Sequence, residues 1–288
     1  MAALLEAKDV RVDDGGVPAV DGVKFATTGA QVVMIGAPRV LFEACAGMRP
    51  VAHGQVLVEG VSAEQAVDDR LVAGAPLDPP LPPTWTPRRY VEDSAALSGV
   101  ARADRRRLVG AAIDKLELGP VADAPLGKAV PHARRATVVA AAIATGAKTI
   151  LLDDPLAGLA DDVARNFGKI VLRAIDGVRW VVFAGRLPLM SPLCIAADEA
   201  IVLSSGDVVS QGAPAEIAVR ESAFVVRIAG EGAKFSERLA TREARVVPTG
   251  DTFTIELPAG ASTSVVFAAA EEAGTVVLEL RPVARGFV

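Results

Sequence analysis

Cysteine, histidine and aromatic side chains are all scarce in this 288-residue sequence. Two cysteines, Cys45 and Cys194, and two histidines, His53 and His132, stand far apart. That spacing builds neither a disulfide framework nor a zinc ligand set, so reduced thiols in a cytosolic setting are the plain reading. A basic excess is missing as well: 30 Lys and Arg against 35 Asp and Glu leave a net charge of −5. A nucleic-acid binder needs a basic face to neutralise phosphates, and this balance argues against nucleic acid as a partner. No run is long enough to span a bilayer. The most apolar stretch, Ala136 to Ala147, is broken by Thr145 and Gly146 and stops at Lys148. The opening MAALLEAKDV carries Glu6 and Asp9 and no basic lead, unlike a signal peptide. The expectation is a cytoplasmic protein, peripheral at the inner face of a membrane through a partner.

What the sequence does have is apolar mass: 51% of its residues are hydrophobic, enough for a substantial core. Short strands are expected early, over Leu4–Arg11, Gln31–Ile35 and Gln55–Val58, with turn chemistry at Asp13–Gly16. Leu41–Met48 reads as a helix. Six prolines from Pro76 to Pro87 forbid a helix there, since each removes a donor. Helices follow near Pro87–Leu97 and Ala103–Leu116, the first with Thr86 as N-cap and Pro87 at the first helical position. A helix over Arg134–Ala144 leads to an apolar strand at Thr149–Leu152 that ends in Asp153 and Asp154. Asp161–Ala174, Trp180–Phe183 and Pro188–Ala196 continue the alternation, and two strands flank Gly206. Alternating helices and buried strands indicate an α/β sheet covered by helices. Beyond Ser222 the spacing predicts four more strands and two helices, a small α+β appendage. The expected domains are 1–222, with a helical subdomain at about 87–145, and 223–288.

The order of these segments resembles the ATP-binding subunits of ABC transporters, particularly those of ABC-2-type exporters. LLEAKDVRV and AVDGVKF look like the opening strands. ILLDDPLAGLA at Ile150–Ala160 looks like the Walker B and D-loop run. ADEAIVLSSGDVVSQGAPAEI at Ala197–Ile217 resembles the last strands and the helix after them. The likeness covers Leu4 to about Arg220, and the tail resembles that subfamily's small C-terminal domain. It implies a P-loop-NTPase-like α/β fold, ATP and magnesium as cofactors, and a permease as partner.

The motifs that handle nucleotide in this family depart from its pattern. A P-loop, G-x-x-x-x-G-K-[ST], wraps phosphates with backbone N–H groups, reaches them with lysine and holds magnesium with a hydroxyl. Here Gly36 is followed only by Ala37, Pro38, Arg39 and Val40 before a helix is expected. The second glycine, lysine and hydroxyl are absent. Arg39 is either an anion contact or, as favoured, a solvated loop arginine. Each charge-assisted bond to phosphate contributes ~1.5–3 kcal/mol, so losing three costs at least about 5 kcal/mol, on the order of a thousandfold in affinity.

The remaining positions read the same way. Asp13–Gly16 lacks the ring that would stack on adenine, and Leu77 stands for the sensing glutamine. Ala129–Ala133 stands for the signature run, with Val130 in place of its serine and His132 in place of its glycine. His132 is a new base or, as favoured, a partly exposed cap at a helix start. Asp153 is retained at the position that would help hold magnesium. Asp154 replaces the glutamate that would polarise water, Ala160 the D-loop aspartate, and Arg186 the switch histidine. Asp153 and Asp154 form a metal pair or, as favoured, end a strand and pin a neighbouring turn.

These departures leave the strands and turns intact, so the chain is expected to be a pseudo-ATPase: a structural or regulatory subunit that needs no cofactor. Paired head to tail with an intact ATPase subunit or a second copy, it would spoil one nucleotide site through Gly36–Val40 and the other through Ala129–Ala133. Its expected partners are an ABC-2-type permease or another membrane-complex subunit, met through the helical subdomain and the Pro76–Tyr90 loop. Two alternatives stay open: a divergent but active exporter ATPase using ATP and magnesium, and a soluble scaffold with no transporter. The run Arg102, Arg105, Arg106 and Arg107 is an anionic-lipid contact or, as favoured, the solvated face of a helix. Trp85 and Tyr90 are partner anchors or, slightly favoured, packing for the proline loop.

Overall fold

Three apolar runs form the centre of the molecule. QVVMI, TILLD and RWVVFA are buried along almost their full length, as strands covered on both faces must be. The computed structural model describes residues 3–188, 191–204, 206–220, 223–250, 252–258 and 261–282. It divides into two compact units, the larger containing Met1–Pro214 and the smaller Ala215–Arg285.

The larger unit begins with β1 (Leu5–Asp14), β2 (Val17–Ala26), β3 (Gln31–Ile35), α1 (Arg39–Cys45), β4 (His53–Val58), β5 (Val61–Ser62), α2 (Ala63–Asp68) and β6 (Val72–Ala75). The helices α3 (Pro87–Leu97), α4 (Arg102–Lys115) and α5 (Pro131–Ala144) follow. Then come β7 (Thr149–Asp153), α6 (Asp161–Ala174), β8 (Arg179–Ala184), α7 (Pro192–Ala196), β9 (Glu199–Ser204) and β10 (Asp207–Gly212). One sheet is antiparallel, in the order β2-β1-β4-β5. The other runs β10-β9-β3-β8-β7-β6 and is parallel except for β10. The two sheets share a core in which the Phe42 and Phe183 rings meet edge to face, 5.6 Å apart, among Met34, Leu41, Leu151 and Val181.

Local chemistry sets the helical segment. The Thr86 hydroxyl accepts the Arg89 N–H at 3.2 Å and Pro87 occupies the first helical position, as the sequence predicts. In α5, alanines at 133, 136, 140, 141, 142 and 144 are buried, and their small side chains let neighbouring elements approach on several sides. This helix starts at Pro131, three residues ahead of expectation. Likewise α1 starts at Arg39 and ends at Cys45, because Met48 lies in a turn whose N–H groups return to the Glu43 and Ala44 carbonyls.

The smaller unit opens within α8 (Pro214–Arg220), at its second residue. It continues with β11 (Ala223–Ala229), α9 (Gly232–Ala240), β12 (Arg245–Thr249), β13 (Thr252–Glu256), α10 (Ser264–Ala273) and β14 (Val276–Pro282). The order β12-β13-β11-β14, antiparallel throughout, is the split β-α-β arrangement. Phe235 and Phe253 meet edge to face at 5.6 Å, with Leu239, Ile255 and Val266 buried beside them. Among the described residues, no helix is long and apolar enough to cross a membrane.

Candidate functional site

The parallel register brings three strand ends together. Ile35 pairs with Ala184 and Asp153 with Phe183, so the segments after β3, β7 and β8 emerge side by side at the carboxyl edge of the sheet. In open α/β sheets this edge is where ligands bind.

After β3 the connection is only Gly36, Ala37 and Pro38. Gly36 has φ +71°, and a Cβ there would lie 2.2 Å from the carbonyl oxygen of Leu203 in β9. The close approach of β9 therefore demands glycine at this position. Pro38 is the N-cap of α1 and offers neither a capping side chain nor an N–H.

Arg39 is the first helical residue. Its Nε lies 3.1 Å from Glu43 Oε1, one turn on, and 3.7 Å from Asp153 Oδ2. Glu43 in turn meets Arg49 at 2.7 Å, and Arg49 reaches Asp14 at 3.3 Å and the Asp13 carbonyl at 3.0 Å. A continuous ladder of alternating charge thus runs from the end of β7 over α1 to the turn between β1 and β2.

The two adjacent aspartates point to different loops. The Asp153 side chain is only 6% exposed, and its Oδ2 accepts the Leu77 N–H at 3.1 Å. Burial pushes its carboxyl above the usual range, opposed by the Leu77 N–H and the Arg39 guanidinium. Asp154 adopts φ +39°, donates its N–H to the Phe183 carbonyl at 2.7 Å, and accepts the Gly185 N–H through Oδ2 at 3.2 Å. Burial raises it too, with the Asp153 charge adding and Gly185 and Arg135 opposing. Arg186 next to Gly185 is exposed. It lines a cavity of about 570 Å³ with Asp154, Asp161, Arg165 and Ser191.

Val130 and His132 sit at the start of α5. Val130 is the N-cap and makes no side-chain bond, Pro131 follows, and His132 is exposed. Neither makes a hydrogen bond or ion pair with the aspartates. The link between the two regions is Arg135, whose Nη1 donates to the Pro155 carbonyl at 3.4 Å. Among the described residues, no group of three or more His, Cys, Asp or Glu side chains gathers where it could hold a metal ion.

Solved structures share this fold. The chain superimposes on an ATP-binding cassette of an ABC transporter in its ADP conformation with a TM-score of 0.62 at 17% identity, covering 74% of this chain and 92% of that one. CbiO1 from Clostridium perfringens, part of the cbiONQ transporter complex, also gives 0.62 at 17% identity, over 75% and 91%. This is an ABC nucleotide-binding-domain fold. Among curated relatives, the sn-glycerol-3-phosphate import ATP-binding protein UgpC 3 of Rhizobium etli is 27% identical over 228 residues, 76% of this chain and 64% of that protein. The alpha-glucoside transport ATP-binding protein AglK of Rhizobium meliloti is 26% identical over 96% of this chain and 77% of its own. The chain spans about two thirds of the length of the UgpC relatives. No profile of a known protein family matches it.

Within this ABC fold, Gly36, Arg39, Leu77 and Asp153 come together at one sheet edge, with Asp154 tied to the segment carrying Arg186. Two expectations need correction. Arg39 is solvated as expected but does not lie in a loop: it is the first residue of α1 and bridges two carboxylates from there. His132 is not a cap, because α5 starts one residue before it and its N-cap Val130 makes no side-chain bond. The pinning role expected for Asp153 and Asp154 matches the two loop N–H bonds. Glu43 and Arg49 escaped the sequence reading. Only the four-residue spacing from Arg39 to Glu43 on a helix signals their part in the ladder. Glu199 was missed as well: it accepts N–H groups of Thr28 and Gly29 at 2.7 and 2.8 Å and the Gln211 amide at 2.7 Å.

Proposed function

We propose that this chain is a pseudo-ATPase of the ABC type, a non-hydrolysing subunit with a structural or regulatory place at the base of a membrane transport complex. One observation carries the reading. Above a three-residue loop, the Asp153 carboxylate is engaged by the Leu77 N–H and faces the Arg39 guanidinium. The residues present do not fit a magnesium-bound triphosphate. The loop is too short to wrap phosphates, Pro38 withholds a donor, and a cation already faces the carboxylate that would hold the metal. The start of α5 adds no serine hydroxyl and no glycine for close backbone approach.

Of the two named relatives, one is an import ATP-binding protein and the other an alpha-glucoside transport ATP-binding protein. This favours an importer-type permease over the ABC-2-type exporter permease that the sequence suggests. A groove of about 690 Å³ between α2, α3, α5 and β6 offers a docking place, with the exposed side chains of Met48 and Val67 opposite Tyr90. Apolar side chains left open around one groove suit a protein partner.

Thermal unfolding with and without millimolar Mg-ATP tests the proposal. A ligand at 1,000 times its Kd stabilises by about 4 kcal/mol, which raises Tm by roughly 8–16 °C in a unit of this size. A site whose Kd is itself millimolar gives a rise of about 1 °C or none, the result expected here. A large magnesium-dependent rise, or phosphate release lost on Asp153→Asn, overturns the proposal. Co-purification of the permease without nucleotide supports it, whereas a complex that forms only with ATP counts against it.

A further inference from the structure

The turn between α3 and α4 holds an aliphatic side chain outward for no reason that folding supplies. Leu97, the last residue of α3, is 90% exposed. The turn beneath it is closely tied. The N–H groups of Ser98, Gly99 and Val100 return to the carbonyls of Ser94, Ala96 and Ala95, Gly99 takes φ +74°, and Val100 is buried. Leu97 is therefore presented by a fixed backbone.

Arginines follow this tip closely in sequence, and one of these, like Arg70, bonds to the turn itself. The first six residues of α4 carry Arg102, Arg105, Arg106 and Arg107 with Asp104: four cations less one anion, +3, in a chain of net −5. Arg107 pairs with Asp104 at 3.0 Å, and Arg105 donates to the Val100 carbonyl at 3.1 Å. Arg102 and Arg106, four residues apart on one helix face, are exposed and have no hydrogen bond or ion pair among the described residues. Arg70 donates to the Gly99 carbonyl at 3.4 Å and adds a guanidinium beside the turn, although Asp68 and Asp69 precede it. Cations in the first turn oppose the helix dipole, so this cluster costs α4 stability rather than adding to it.

An outward aliphatic residue five positions ahead of the first unpaired arginine, across one tight turn, matches a surface with an apolar layer beneath negative headgroups. We propose that the α3–α4 turn is a contact for an anionic lipid bilayer, with Leu97 entering the headgroup layer and Arg102 and Arg106 binding headgroup phosphates. This rests on the reading of the chain as a subunit at a membrane complex. Each arginine near an anionic surface is worth about fivefold in partitioning, so the pair contributes about 25-fold. The isolated chain binds weakly, at lipid concentrations on the order of a millimolar, and the complex adds its own hold.

Flotation of the full chain with phosphatidylcholine vesicles, with and without phosphatidylglycerol, tests this at low and high salt. The expected result is binding to the phosphatidylglycerol vesicles alone, weakened by salt. Arg102→Gln with Arg106→Gln should cut it about 25-fold, and Leu97→Ser several-fold. All three positions are exposed, and an unchanged unfolding midpoint certifies the folded variants. Equal binding to both vesicle types, no binding to either, or full binding by the double variant overturns the proposal. So does loss of permease co-purification in the double variant without loss of flotation, since the patch would then read a protein. Mg-ATP binding is measured on the same sample: tight nucleotide binding with intact flotation overturns the pseudo-ATPase reading and leaves the lipid contact standing.

Discussion

Replacing Gly36 by alanine separates a glycine kept for phosphate from a glycine kept for folding. At φ +71° an alanine enters the left-handed region, at a cost of about 1–2 kcal/mol. Its Cβ would also lie 2.2 Å from the Leu203 carbonyl oxygen, more than about an ångström inside ordinary contact. That oxygen is backbone in β9, a strand paired on both sides by β10 and β3, so it cannot swing aside as a side-chain tip would. Overpacking of this kind costs about 1–3 kcal/mol. The sum is about 2–5 kcal/mol, a Tm loss of roughly 5–15 °C for a unit of this size. Gly15 is the control, because it has φ +59° with no atom within 4 Å of a built Cβ. Gly15→Ala should lose only about 1 kcal/mol, or 2–4 °C. Thermal and urea unfolding of both variants in nucleotide-free buffer measure the difference. If Gly36→Ala loses no more than Gly15→Ala, the packing account of Gly36 is wrong.

Asp153→Asn keeps an acceptor for the Leu77 N–H and removes a charge that burial disfavours. Because the native carboxyl titrates above the ordinary aspartate value of 3.8, the folded state holds extra protons between the two values and wild-type stability falls as pH rises through that window. The asparagine variant should escape this fall and equal or exceed wild type in Tm at neutral pH. Asp153→Ala, which strands the Leu77 N–H, should lose about 1–3 kcal/mol; an asparagine variant weaker than the alanine variant refutes the account. Glu199 behaves oppositely. Burial resists its charge, but bonds from Gln211, Gly29 and Thr28 together hold its carboxyl below the ordinary 4.5. Its contribution is therefore present above 4.5 and lost as pH falls through the lower native value. Glu199→Gln should cost about 2–4 kcal/mol at neutral pH and progressively less in acid, a convergence that urea titrations at several pH values would detect. Phe42→Ala empties the centre of the larger core and should cost about 3–5 kcal/mol by urea unfolding; a cost below about 1 kcal/mol would mean the ring contact with Phe183 does not organise that core.

The alternating apolar runs and the Thr86–Pro87 start were legible because they rest on neighbours in sequence. Strand β6 was not, since VAGA has little β-branched character and becomes a strand by pairing Val72–Ala75 with Thr149–Leu152. Helix α2 also escaped, being six residues long with Ser62 capping Gln65 as its main local mark. At the candidate site, the missing lysine and glycine could be read directly. What replaced them could not, because the contact of Arg39 with Asp153 depends on how β7 lies against the start of α1, and no local pattern encodes that distance.

The ladder from Asp153 through Arg39, Glu43 and Arg49 to Asp14 has a consequence for how a change at one rung spreads. Three carboxylates share two guanidiniums, and Glu43 touches both, so each arginine can lose its outer partner and keep Glu43. Open to water, such pairs contribute only about 0–1 kcal/mol each. Glu43 is therefore the slack in the string: a disturbance at either end is absorbed there and does not travel to the other.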